Sequence, residues 1–405
     1  MKISLPDTEG RMTEYRLTGT PIAQASLPAN PARVVYAAAH VVTDPFTAAD
    51  PSGAGTIDWD GTMRFRRHLA GLGLGIAEAM DTAQRGMGLD WQGALELIRR
   101  TREELPDALV GNGCGTDHLN PADARGTDDV IRAYLEQMHA IQKLDGRLIL
   151  MASRALARTA KGPQDYVDVY SRVLSEADHP VILHWLGEMF DPALAGYWGA
   201  SDFESAMETA LQVIEANAAK VDGIKISLLD KDKEVLMRRR LPAGVKMYTG
   251  DDFNYPELIE GDDQGFSHAL LGIFDPLAPA AAHAVALLGQ GDAAGFRAVL
   301  DPTVPLARLI FRAPTQYYKT GVVFLAWLNG FQDHFVMLNG QQAMRPLPYF
   351  TEAALLGAME NIARFETNEQ LRKVLNEKSG IGTPATRAGM IEGAVVRKFF
   401  VRKKR

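Results

Sequence analysis

One cysteine, Cys114, in 405 residues rules out an intrachain disulfide and any metal site built from cysteine alone. Long apolar runs are also missing. No uncharged apolar stretch reaches the ~20 residues of a membrane-spanning helix. Residues 1–6 lack the apolar core of a signal peptide, so none is expected. Positive charge is in deficit: 43 Lys and Arg face 50 Asp and Glu, for a formal net charge of −7. No extended basic stripe offsets it, which argues against a nucleic-acid partner. The exception is the end, residues 397–405, where Arg397, Lys398, Arg402, Lys403, Lys404 and Arg405 make a basic tail. Such a tail reads as a solvated terminus, or as a contact for an anionic surface or a neighbouring subunit. Low-complexity segments are absent. With 46% hydrophobic and 23% charged residues the chain has globular composition, and a cytoplasmic, reducing setting without membrane contact is expected.

What is present is alternation. Short apolar runs at 34–42, 75–80, 108–111, 146–151, 180–185, 223–227, 245–248 and 265–270 read as strands. Amphipathic stretches at 61–72, 91–104, 128–144, 166–177, 201–219 and 232–239 lie between them and read as helices. Eight such alternations predict an α/β fold, a (β/α)8 TIM barrel. A doubly wound open sheet is weakened by the lack of a Gly-rich dinucleotide fingerprint after the first strand. Further helices at 276–288, 292–300, 304–311, 316–328 and 352–365 suggest a C-terminal helical extension. The expected division is a hairpin (residues 2–5 against 13–17) and linker over 1–32, a barrel over 33–290, the extension over 291–380 and a basic tail over 381–405.

Within this pattern Lys225 stands out, because the run Val221–Ser227 has the look of a buried parallel strand. Desolvation disfavours an ammonium, so a buried lysine can become a neutral amine near pH 7. A neutral amine attacks ketones and aldehydes to give an imine, an electron sink for making or breaking a C–C bond. The alternative is a lysine that snorkels to water or pairs with Asp222 or Asp251.

Several pieces then fall into a known order. Residues 43–46 (Thr-Asp-Pro-Phe) with 55–59 (Gly-Thr-Ile-Asp-Trp), the strand at 180–183, Gly223-Ile224-Lys225, Thr249-Gly250-Asp251-Asp252, and residues 314–319 (Pro-Thr-Gln-Tyr-Tyr-Lys) follow one another at suitable spacing. Over residues 33 to about 330 the chain resembles the dihydrodipicolinate synthase / N-acetylneuraminate lyase family of class I aldolases, as a divergent branch. The resemblance implies that Lys225 forms a Schiff base with a 2-oxo acid or keto-sugar derivative, without a cofactor. It also implies a cytoplasmic homo-oligomer whose partner is a small-molecule carbonyl substrate.

Two departures from the family pattern stand out. At the second strand's turn the sequence is Met80-Asp81-Thr82-Ala83-Gln84-Arg85-Gly86. Thr82 carries over as a hydroxyl donor. Asp81 replaces a threonine and would repel a carboxylate unless protonated or paired, or it caps the following segment. Arg85 could restore anion binding through its fork. On the fifth strand His184 occupies the register of the family's tyrosine and could serve as general acid or base. Glu188 and Asp191 beyond it could bind substrate or orient His184. Residues 189–199 read as an inserted lip whose Phe190, Tyr197 and Trp198 could cover the mouth or pack internally. Asp251 and His268 are further substrate-binding candidates, and His40, Asp117, His118 and Asp252 are further mouth residues. These scattered His and Asp admit a second reading, a divalent-metal barrel isomerase or hydrolase, though no compact ligand motif is present. A third is a non-catalytic barrel that binds an oxo acid.

Overall fold

Eight of the short apolar runs fold as parallel strands, and pairing of the last with the first closes them into a barrel. The computed structural model describes residues 2–6, 12–16, 25–47 and 56–345. Ahead of the barrel, β1 (Lys2–Pro6) and β2 (Met12–Arg16) pair antiparallel, with Leu5 opposite Thr13. The barrel strands are β3 (Val35–Ala38), β4 (Gly75–Glu78), β5 (Val110–Cys114), β6 (Arg147–Leu150), β7 (Val181–Leu186), β8 (Val221–Ser227), β9 (Lys246–Thr249) and β10 (His268–Leu271). Their order around the cylinder follows the chain, as a succession of right-handed βα units requires.

The helices start where acidic residues satisfy their free N–H groups. Asp58, Asp90, Asp202 and Asp230 accept from the backbone N–H of Gly61, Gly93, Ser205 and Lys233. Each such cap stabilises its helix by roughly 1 kcal/mol. The helix Trp91–Glu104 buries Ala94, Leu97, Ile98 and Thr101 along one stripe, the 3.6-residue period of an amphipathic helix. Beneath the helices, Arg66 and Glu78 form a fully buried ion pair, Nη2–Oε1 2.7 Å, that Thr101 completes with a hydroxyl at 2.7 Å.

The barrel interior is packed by Tyr36, Ala38, Ala77, Ile149, Ile182, Tyr248 and Leu270. Tyr36 and Tyr248 lie toward the strand starts with ring centroids 6.1 Å apart. Room for them comes from glycine: a Cβ at Gly75 would stand 2.7 Å from the Tyr36 ring, and one at Gly223 2.8 Å from that of Tyr248. After the barrel's last helix, Ala278–Gly289, the helices Ala293–Leu300, Val304–Ile310 and Tyr318–Leu328 follow. Phe311, Tyr318, Val322 and Leu325 pack with Ile273 and Phe274, so the extension folds back over the C-terminal ends of the strands. The helix expected at 352–365 and the tail at 381–405 lie outside the described residues. Among the described residues no helix is long and apolar enough to cross a membrane.

Candidate active site

Side chains alternate along a strand, and on β8 this sends Lys225 and Ser227 inward while Ile224 and Ile226 join the outer core. Lys225 stands opposite His184 on β7 and Tyr248 on β9. Its alkyl chain passes over Gly250, where a Cβ would lie 2.8 Å from the lysine Cε. The residue is 8% exposed. Neither carboxylate weighed as its partner takes it. Asp222 accepts from Lys246 Nζ at 2.5 Å and Tyr248 Oη at 2.7 Å. Asp251 accepts from the backbone N–H of Phe253 and Asn254 and from the Asn254 side chain. Burial pushes the Lys225 ammonium below its usual 10.5, against the opposing charges of Asp252 and Asp81.

The amine faces a tight pocket at the C-terminal ends of the strands, with free space of only about 10 Å³, the room of a single water. Ser227, Asp81, Thr82, Asp252 and Tyr318 line it with polar atoms; Met80, Leu186, Phe190 and Phe311 supply apolar wall. A larger hollow of about 440 Å³ lies at the opposite end, around Arg102, Asn112 and Arg147. It carries Asp107, Asp145 and His179 on its wall and lies at the face where barrels keep stability rather than chemistry.

Around the amine, Asp252 accepts the Ile273 N–H at 2.8 Å, and burial raises its carboxyl to about 7, with the Lys225 charge opposing. Thr82 Oγ1 and Tyr318 Oη share a hydrogen bond of 2.8 Å. The Tyr318 ring stacks on Phe311 (centroids 4.5 Å apart, 16° between planes) and meets Phe190 edge-on. Burial holds its phenol well above 10. Asp81 begins a 3₁₀ turn, Asp81–Ala83, without capping it. Its charge opposes the burial-driven fall of both Lys225 and the neighbouring Lys319.

Of the residues expected at the site, the structure brings Lys225, Asp81 and Thr82 to one pocket. His184 is one step removed: its Nε2 lies 3.2 Å from Ser227 Oγ, and Ser227 faces the pocket. Burial, reinforced by Lys225, holds the imidazolium well below 6.5, so the ring is neutral near pH 7.

The remaining four are placed elsewhere. Arg85 spends its fork internally. It forms an ion pair with Asp117 and donates to the Ala79 and Gly113 carbonyls at 3.1 and 3.0 Å and to Gln137 Oε1 at 2.9 Å. Anion capture by Arg85 is therefore corrected to a structural role. Asp251 holds the turn after β9, as its backbone bonds show. His268 is the first residue of β10, at the far end from the mouth, where its Nδ1 accepts the Val34 N–H at 3.0 Å. The strand starts later than its apolar pattern suggested, and this turns a mouth residue into a floor residue. Glu188 is exposed beyond β7 and does not line the pocket.

In the lip, Phe190 reaches the pocket, whereas Tyr197 and Trp198 pack behind it against Tyr166 and Tyr170. His40 is bound to Asp275 at 2.8 Å and to Gln332. His118 contacts Gln137 and Glu136. Among the described residues no group of three or more His, Cys, Asp or Glu is gathered in a way that could hold a metal.

Sequence reasoning assigned no role to Tyr318 or Ser227 and left Asp252 unranked. Tyr318 comes from a helix more than two hundred residues beyond Thr82, and its only signal was its place beside Lys319 in the 314–319 motif.

Comparison with known proteins agrees with this architecture. A dihydrodipicolinate synthase from Acinetobacter baumannii complexed with pyruvate superposes with a TM-score of 0.59 at 14% identity, covering 82% of this chain and 99% of that one. The enzyme from Thermotoga maritima gives 0.58 at 16% identity over 85% and 98%. A prophage protein of the dihydrodipicolinic acid synthase family from E. coli K12, in complex with pyruvate, gives 0.59 at 13% over 76% and 91%. At these identities the likeness is one of fold. A separate, short likeness joins the chain to DNA topoisomerase 3. It is 47% identical over 70 residues to the Haemophilus influenzae protein and 50% identical over 52 residues to that of Vibrio cholerae. The chain spans about a tenth of the length of these curated relatives, too little to carry their activity over. Across most of its length, residues 3–377, the chain matches the family described as "Protein of unknown function (DUF993)", and it belongs to that family, with the barrel fold of the dihydrodipicolinate synthases.

Proposed function

We propose that the protein is an imine-forming carbon–carbon lyase, or a related dehydratase, acting on a small carbonyl compound without a cofactor. The observation that carries this reading is Lys225: an inward, buried lysine that opens into the pocket beside Asp252, with both groups pushed toward their neutral forms. In an apolar site a neutral amine and a protonated acid compete with the ion pair. The amine lone pair adds to the substrate carbonyl carbon, and the oxygen takes a proton from Asp252. Water then leaves, giving a protonated imine. Cleavage removes the proton of the β-hydroxyl and sends the C–C bonding pair into the iminium. An aldehyde departs and an enamine remains. Protonation of the enamine carbon and hydrolysis then release the second product and restore the amine. In this reading Thr82 with Tyr318, and His184 acting through Ser227, move these protons, supported by the Thr82–Tyr318 and His184–Ser227 hydrogen bonds.

The test is borohydride reduction in the presence of small carbonyl compounds, followed by peptide mass analysis. A stable secondary-amine adduct on Lys225, absent from Lys225→Ala, is the expected result. Absence of any adduct, with turnover lost on chelation and restored by a divalent ion, would replace this reading with the metal-dependent one. Binding without turnover would make the barrel a sensor.

A further inference from the structure

The space in front of the Lys225 amine has room for a single water. Even the smallest ketone is several times larger, so a wall has to move before an imine can form. Three aromatic side chains close the mouth, Phe311 and Tyr318 from one side and Phe190 from the other. They are not equally free. Phe311 and Tyr318 stack on each other, Tyr318 is tied to Thr82, and both pack with Val322, Leu325, Ile273 and Phe274. Displacing them would unpack the extension from the barrel. Phe190 meets the two rings edge-on, with centroids 6.3 and 5.8 Å away.

Phe190 sits on a short segment pinned at both ends. The Gly187 N–H donates to the Ser227 carbonyl at 3.0 Å, and a Cβ at this position would stand 2.9 Å from that same oxygen, so the turn needs glycine. At the far end Gly196 has a φ of 72°, a conformation glycine adopts freely. Next to it the Tyr197 hydroxyl accepts the Ser153 N–H at 3.0 Å and bonds to the Tyr170 hydroxyl at 2.9 Å. Between the glycines Glu188, Met189, Pro192, Ala193 and Ala195 are exposed, whereas Phe190 and Leu194 are buried. Among the described residues one ion pair ties this segment to the rim. Arg154 Nε donates to Asp191 Oδ2 at 2.5 Å, while Asp191 Oδ1 accepts the Ala193 N–H at 3.1 Å. Arg154 and Asp191 take no part in lining the pocket.

Resting on the imine reading above, we propose that residues 188–195 form a lid: Phe190 swings out to admit the carbonyl compound, and the Arg154–Asp191 ion pair latches it shut over the imine. Gly187 and Gly196 are its hinges. A shut lid keeps bulk water from an imine that would otherwise hydrolyse before the C–C bond breaks. The latch is partly open to solvent, with side chains 44% and 14% exposed, so salt weakens it.

The experiment treats the full chain with formaldehyde and cyanoborohydride and follows methylation of Lys225 by peptide mass, with the exposed Lys143 as internal standard. In the wild type Lys225 should react more slowly than Lys143. Arg154→Gln and Asp191→Asn should each speed Lys225 about three- to fivefold relative to that standard. The two variants change the local charge in opposite directions, so a field acting on the amine would speed one and slow the other, whereas a broken latch speeds both. Raising salt to about 0.5 M should speed Lys225 in the wild type as well. Opposite shifts in the two variants, or no response to either variant and to salt, overturn the lid. Methylation that follows the latch, with no borohydride adduct on Lys225 from any other small carbonyl compound, sinks the imine reading and leaves the lid standing. The salt response of the wild type decides the matter even if both variants fail to fold.

Discussion

At the scale of single residues, the site depends on a lysine kept where water is scarce. Imine formation consumes the neutral amine, and burial has already brought the Lys225 ammonium below 10.5. The rate of borohydride trapping should therefore rise with pH as the amine gives up its proton, at a midpoint below 10.5, and be held back above about 7, where Asp252 loses the proton it supplies to the departing water. Lys225→Met should abolish adduct formation and lower turnover by at least about a thousandfold. Thermal melting of that variant should match or exceed the wild type, because a buried amine that takes no hydrogen-bonding partner among the described residues has been replaced by an apolar chain of similar volume. Arg85 behaves oppositely. Arg85→Ala leaves the buried side of Asp117 and two carbonyls unpaired and should cost about 3 kcal/mol or more, read as a fall in Tm. Residual adduct formation in the fraction that remains folded should keep its substrate preference. A change of preference instead would return Arg85 to the binding site.

At the scale of elements, the helix Tyr318–Leu328 brings into the barrel mouth a hydroxyl that no barrel strand supplies. Tyr318→Phe keeps the stack on Phe311 and removes only the bond to Thr82. Turnover should drop by about a hundredfold while trapping on Lys225 persists; equal losses in both would mean the ring merely shapes the pocket. The same helix explains what could be read without the structure. Buried parallel strands leave short apolar runs, so β7 and β8 were legible almost to the residue, and the helix Trp91–Glu104 was legible because its apolar stripe and its Asp90 cap are local. His268 was misplaced because an apolar run does not mark where strand hydrogen bonding begins. Arg85 was misassigned because the groups that consume it lie on other strands and helices. The Thr82–Tyr318 contact joins segments 236 positions apart, and no local pattern encodes it.

At the scale of the whole molecule, closing the barrel leaves its eight strands without an edge, and the candidate site gathers at one end while structural charge is hidden in the layers. Glu234, on the helix Lys231–Arg238, is buried against Ser267 Oγ at 2.7 Å, and burial raises its carboxyl from 4.5 to about 8. Between those values the folded protein binds a proton that the unfolded chain releases. Stability from this group is thus complete below about 4.5 and is lost as pH climbs toward 8. Glu234→Gln should raise the melting temperature at pH 8, by the equivalent of roughly 1–3 kcal/mol, and the gain should shrink toward pH 5. A constant difference across that range would show that the carboxyl is ionised in the folded state. Cys114 has its own consequence. The sole sulfhydryl is fully enclosed, 0% exposed, and its ionisation is pushed up to about 12, so maleimides and spin labels should pass it by. A cysteine introduced at the exposed Glu188 would then take a probe by itself, giving fluorescence or electron paramagnetic resonance a background-free reporter of whether the rim shifts as a ligand arrives.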